Sequence, residues 1–143
     1  YRFRWKVVII LVLVTLLIMI SDQGSVHLCK EIFQRPRPCH NPEISQVVHL
    51  VKGHCGGEYG FVSSHAANTF AMAIFTLLII RKSFYTIFIL LWATLVSYSR
   101  IYLGVHYPGD VLGGAVFGAI LGFLFYHVYQ LAEKKTNRYF KKS

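Results

Sequence analysis

The sequence predicts an all-α integral membrane helical bundle with about four transmembrane helices, and three observations predict it. The 143 residues are 55% hydrophobic, high for a soluble domain. The apolar residues gather into four runs, residues 7–20, 66–80, 84–95 and 111–131. Charge is confined to the gaps between those runs. A chain of this length forms one domain, residues 1–143.

The first run follows "YRFRWK", so the two together look like the charged and hydrophobic parts of a secretory signal. No small-x-small cleavage pattern follows; the next residues are Ser21, Asp22 and Gln23. The expectation is therefore a retained helix running to about Cys29. A span needs about 20 residues. The run at 84–95, which continues with modest polarity to Leu103, and the run at 111–131 reach that length easily. The first two runs reach it only by including polar neighbours, so a buried core helix is the alternative reading of each. Ser63 and Ser64 are good N-cap residues ahead of the Ala-rich second run, and Pro108 suits the first turn of the last.

Charge supports the same arrangement. If all four runs cross the bilayer, one side holds Arg2, Arg4, Lys6, Arg81, Lys82, Lys134, Lys135, Arg138, Lys141 and Lys142 against the single acid Glu133. The other side holds five cations and five acids. This is the positive-inside pattern with both termini cytoplasmic. The net charge of +9 is thus mostly topology. No basic stretch is interleaved with aromatics, and no nucleic-acid partner is expected.

The one long connection, residues 23–63, falls on the outer side and holds all three cysteines. Its "RPRPCHNPE" segment is rigid and non-helical, because proline fixes its own φ and restricts the residue before it. "GHCGGEYG" reads as a flexible turn. Cys39-His40 and His54-Cys55 are mirror-image pairs. A Cys39–Cys55 disulfide, free thiols and a zinc site all remain open, although adjacent ligands do not follow common zinc spacings.

Three islands converge at the outer helix ends. They are Lys30, Arg35 and Arg37 in "KEIFQRPRP"; Ser63, Ser64 and His65 in "FVSSHAAN"; and Arg100, His106 and Asp110 in "SRIYLGVHYPGD". A helix N-terminus with unpaired N–H groups is an anion site. Lys30, Arg37 and Arg100 add fixed charge suited to phosphate oxygens and to a phosphoryl-transfer transition state. A neutral histidine can attack phosphorus if its other nitrogen is oriented, and Asp110 follows His106 by four residues, onto one face of a turn. His65, at the anion-binding helix start, can protonate a leaving oxygen and later activate water.

Lys30 to Pro38 fits K-x6-R-P, Ser63–His65 resembles P-S-G-H, and Ser99–Asp110 fits S-R-x5-H-x3-D without a gap. Together these resemble the signature motifs of the type 2 phosphatidic acid phosphatase superfamily, the lipid phosphate phosphatases. The resemblance implies His106 as nucleophile through a phosphohistidine, Asp110 orienting it, and His65 as general acid. It implies Lys30, Arg37, Ser63, Ser64 and Arg100 as phosphate-binding residues, with no metal and no cofactor. The implied reaction removes a terminal phosphate from a membrane lipid phosphate or diphosphate. A lipid phosphotransferase and a silent lipid-phosphate-binding module are the alternatives. The implied setting is a bacterial inner membrane, with the site facing the periplasm or exterior. The usual Pro and Gly of the middle motif are Val62 and Ser64 here, and the usual six helices imply a further pair before Tyr1. Arg35 lies outside the motif's fixed positions and reads as a solvated rim charge. Asp22 reads either as a helix-end charge or as a polar contact inside the bundle. Tyr98, Tyr102 and Tyr107 read as interface-belt aromatics.

Overall fold

Helix α1 (Arg2–Gly24) does not end where the first apolar run ends. In the computed structural model, which describes residues 2–53 and 55–142, it passes through a π-helical turn (Ser25–Lys30) into a short α2 (Glu31–Phe33). The Glu31 N–H donates to the Val26 carbonyl, the i→i+5 bond of a π turn. Gln34, at φ 44°, stops the helix, and Pro36 keeps the chain extended beyond it. The expected helix to about Cys29 thus runs four residues further, and the long connection begins at residue 34 rather than 23. Lys30 is consequently carried on a helix.

The other main helices are α3 (Ser64–Ile80), α4 (Ser83–Tyr102) and α5 (Pro108–Lys142). Their starts at Ser63-Ser64 and Pro108 are those the sequence signals. Three stretches are long and apolar enough to cross a membrane: Arg4–Phe33, Ser83–Tyr102 and Pro108–Tyr139. The fourth expected span, α3, has 17 residues, about 25 Å of helix against a hydrocarbon thickness of about 30 Å. It can be shorter because α1, α4 and α5 all pack against it.

The seam between α3 and α5 is nearly backbone on backbone. A Cβ on Gly114, Gly118 or Gly122 would lie 2.5, 2.0 or 2.5 Å from the carbonyl oxygens of Ser63, Ala67 and Ala71 respectively. Glycines four apart on one helix face permit this approach. The pairings ascend together in both helices, so α3 and α5 run parallel, with α1 and α4 running against them. At the far end Lys6 pairs with Glu133, and Arg81 donates to the Tyr126 hydroxyl.

Burial follows narrow stripes. α1 buries Leu13, Leu17 and Ser21, a stripe that Ser25 continues into the π turn, and exposes Leu11, Val12, Leu16, Met19 and Ile20. α4 buries Ile89, Ala93 and Ser97, and exposes Phe84, Ile87, Phe88, Leu91 and Leu95. Apolar faces of that extent suit hydrocarbon, where the helices satisfy their own backbone groups.

Candidate active site

The α5 N-terminus builds one half of the site. Tyr107 precedes Pro108 at the helix start; its N–H donates to Asp110 Oδ2 at 3.0 Å, and its carbonyl accepts from Asp110 N at 3.0 Å. This is the back-reaching half of a capping box. It locks a fully buried carboxylate one turn behind His106. His106 Nδ1 lies 3.5 Å from Asp110 Oδ2 and forms no hydrogen bond at that separation. With Nδ1 turned to the carboxylate, Nε2 is the nitrogen left for the cavity.

The connection supplies the second wall. Its arms pair antiparallel: Arg37 N donates to Glu58 O, Gly60 N donates to Arg35 O, and Pro36 bridges Tyr59. Cys39 and Cys55 form a disulfide across them, with Cα atoms 6.0 Å apart. Of the three possibilities the sequence left open, the disulfide is the one present, and it removes both thiolates as metal ligands. His40 Nε2 instead lies 3.3 Å from the Gly56 carbonyl, and His54 lies outside the described residues. Gly60 lets the arm lie directly on the pair behind it, since a Cβ there would be 3.0 Å from Asp110 Oδ2 and 3.6 Å from His106 Nδ1.

The third wall comes from the end of the first helix and the start of α3. Lys30 Nζ donates to Ser64 Oγ at 2.7 Å, and Ser64 Oγ lies 2.6 Å from Ser25 Oγ. Ser25 donates in turn to the Asp22 carbonyl at 2.8 Å. Lys30 can only donate, so the Ser64 hydroxyl proton points to Ser25. The π turn permits this, because Ser25 and Lys30, five residues apart, share one face.

These walls enclose a cavity of about 230 Å³. Lys30, Arg37, Ser64, His65, Arg100 and His106 line it, with Asp22, Val26 and Val105 completing it. Asp110 stands behind His106. Ser63 is fully buried, its N–H donating to the Asp110 carbonyl and its Oγ unpartnered among the described residues, so it ties α3 to α5 behind the cavity wall. The α3 N-terminus and three cations therefore face one small space, an anion site. Burial pushes the His106 imidazole below its ordinary range; Asp110 opposes the shift, while Arg37 and Lys30 reinforce it. His65 is pushed down by burial, and then by Arg100, His106, Lys30 and Arg37.

Three sequence expectations change. Arg35 is exposed, as a rim charge would be, but it is not free: its Nη1 donates to Asp110 Oδ1 at 3.1 Å, and its guanidinium lies 4.3 Å over the Tyr107 ring. Tyr107 is not a belt aromatic, because its hydroxyl accepts from Asn41 Nδ2 at 3.0 Å and its ring carries Arg35. Tyr98 and Tyr102, in contrast, are exposed. Asp22 is resolved as a cavity residue. Ser25 and Gly60 were not anticipated; Ser21 and Ser25, at helical spacing below Leu13 and Leu17, were the available signal for the first.

The sequence matches the PAP2 superfamily over residues 7–134. It is 45% identical over 140 residues to "Lipid A 4'-phosphatase" of Bacteroides thetaiotaomicron, covering 96% of this chain and 60% of that protein. The Porphyromonas gingivalis protein of the same name is 43% identical over 122 residues, covering 85% of this chain and 52% of that protein. "Undecaprenyl-diphosphatase BcrC" of Bacillus subtilis is 35% identical over 95 residues, covering 66% of this chain and 46% of that protein. The chain thus spans between half and two thirds of the length of the first two relatives. No solved structure gives a significant match. With the family match running from the first helix nearly to the end of α5, the chain belongs to the PAP2 superfamily.

Proposed function

We propose that this chain is a lipid phosphate phosphatase that works through a phosphohistidine without a metal. The observation that carries the reading is a buried His106, backed by Asp110, facing a cavity lined by three cations and a second histidine. Substrate phosphate oxygens bind Lys30, Arg37, Arg100 and the N–H groups opening α3. His106 Nε2 attacks phosphorus as the phosphorus–oxygen bond to the lipid breaks. His65 gives its proton to the leaving oxygen, and Asp110 holds the imidazolium at Nδ1. His65, now neutral, takes a proton from water, whose oxygen attacks phosphorus; the P–N bond breaks and inorganic phosphate leaves. Burial and the surrounding cations push the His65 titration down, and the negative charge of bound phosphate opposes that shift, favouring the protonated form that the leaving oxygen needs.

The cavity holds several water volumes of about 30 Å³ each, room for a phosphoryl group and the first leaving-group atoms. Acyl or prenyl chains stay outside, against the exposed apolar faces of the helices. The cation-poor end carries the site, so the positive-inside bias turns it away from the cytoplasm. Two relatives are named for a lipid A 4'-phosphate, which puts a phosphomonoester on a lipid-linked sugar first in the test panel, ahead of phosphatidic acid and undecaprenyl diphosphate.

The test is phosphate release from these three lipids in detergent with chelator present, comparing the intact chain with His106→Ala. The expected result is release by the intact chain and a loss of at least about 10³-fold in the variant. Equal release by both sinks the nucleophile assignment. Release abolished by the chelator sinks the metal-free mechanism. Binding without release by the intact chain supports the silent lipid-binding module, and transfer of phosphate to another lipid headgroup supports the phosphotransferase.

A further inference from the structure

We infer that Arg35 is a positioning residue: it fixes the Asp110 carboxylate and, through it, the His106 ring, without touching the phosphate. The inference rests on the proposed roles of His106 and Asp110 and goes beyond them. Asp110 is fully buried, and both its oxygens are occupied. Arg35 Nη1 holds Oδ1 at 3.1 Å; the Tyr107 N–H holds Oδ2 at 3.0 Å. Two bonds at opposite corners set the plane of the carboxylate, with Oδ2 standing 3.5 Å from His106 Nδ1. Without Arg35, Oδ1 would lose its partner while buried, and the carboxylate could turn to recover one.

Arg35 is itself held on two sides. Its backbone carbonyl accepts from Gly60, and its guanidinium rests on the Tyr107 ring, which Asn41 anchors through the hydroxyl. Arg37, two residues on in the same extended arm, lines the cavity, whereas Arg35 does not. A planar fork that stacks on an aromatic ring while bonding a carboxylate is a task for arginine and not lysine. The charged and titratable groups facing His106 are Lys30 from the π turn, Arg37 from the connection, His65 from α3, Arg100 from α4 and Asp110 from α5. Arg35 acts on this set only through Asp110.

The test measures kcat and KM across pH for the intact chain, Arg35→Gln, Arg35→Lys and Tyr107→Leu, on whichever lipid of the panel is released fastest. Arg35→Gln is expected to lower kcat about 10- to 100-fold, as loss of a supporting contact behind a reacting group does. KM should stay within about threefold, because the phosphate contacts are untouched. The acidic limb of kcat/KM should move to higher pH: with one cation gone behind Asp110, the imidazole keeps its proton longer. Arg35→Lys should leave that limb in place and recover only part of kcat. Tyr107→Leu, which keeps the charge but removes its platform, should lower kcat and not raise KM, giving a second route if Arg35→Gln fails to fold. A raised KM with unchanged kcat would make Arg35 a phosphate ligand. Unchanged kinetics, or a loss of folded protein with the limb unmoved, would make it a rim charge or a loop staple. In each of these cases the inference falls. If His106→Ala retains full activity, the failure lies in the parent reading instead.

Discussion

Arg35 and Arg37 sit two residues apart and serve different partners, a division that their sequence context does not announce. K-x6-R-P marks Arg37, and the motif order brings His106, Asp110, His65, Lys30 and Arg100 into view without any structure. The Arg35–Asp110 pair joins residues 75 apart in sequence, with no periodicity to link them, so only the fold reveals it. Ser64, where the family pattern has glycine, likewise finds a use that spacing could not show: its hydroxyl accepts from Lys30 and passes the chain on to Ser25. The residue scale also sets the pH dependence. A nucleophilic His106 must be neutral, so kcat/KM should rise with pH as the imidazole loses its proton. Burial pushes that titration down, so the midpoint should fall below the ordinary histidine value of about 6.5. A kcat/KM profile between pH 4.5 and 8 measures it; an apparent midpoint at or above 6.5 would remove His106 as the group that must be neutral.

At the scale of elements, the glycine seam decides how far apart the two histidines stand, since α3 begins at His65's turn and α5 begins just after His106. Gly118→Ala sets two effects against each other. Alanine is the better helix former by about 1 kcal/mol. Its Cβ, however, would lie 2.0 Å from the Ala67 carbonyl oxygen, and backbone cannot yield as a side chain can. Overpacking of this kind costs about 1–3 kcal/mol or more, so the clash wins. The variant should melt several degrees lower in detergent and lose activity with it; an unchanged or raised Tm would mean that the seam is looser than described. The G-x-x-x-G-x-x-x-G spacing was present to be read in the sequence. Its partner was not, because Ser63, Ala67 and Ala71 carry no mark of which helix they meet. The length of the first helix was similarly hidden, since an α-helical period gives no sign of a π turn at Ser25–Lys30.

The molecule as a whole has two unlike ends. One gathers Lys6, Glu133, Arg81 and Tyr126 around the cation-rich tail; the other holds the cavity and the disulfide-linked arms. Hydropathy and the distribution of lysine and arginine made this polarity legible, because bilayers act on composition rather than on detailed packing. Length alone set the first two runs apart from the last two, but it did not show that only the second, α3, falls short of a span, because the extension of the first helix through the π turn leaves no mark in hydropathy. The topology predicts that Ser45→Cys, in a Cys29→Ser background, reacts with a membrane-impermeant maleimide added outside intact cells. Lys134→Cys in the same background should react only after permeabilisation. The reverse pattern would place the cavity in the cytoplasm.

The π turn carries a consequence for how this chain tolerates insertions and deletions. A turn closing i→i+5 accommodates one residue more than an α turn while keeping the segments on either side facing as they were. Removing a single residue between Ser25 and Lys30 would leave an ordinary α turn, with the lysine still aimed at α3. A deletion between Leu17 and Ser21 would instead rotate everything after it by about 100°, carrying Ser21 and Ser25 off the stripe that Leu13 and Leu17 begin. Length variation in this helix is therefore cheap at one place only, and that place borders the cavity.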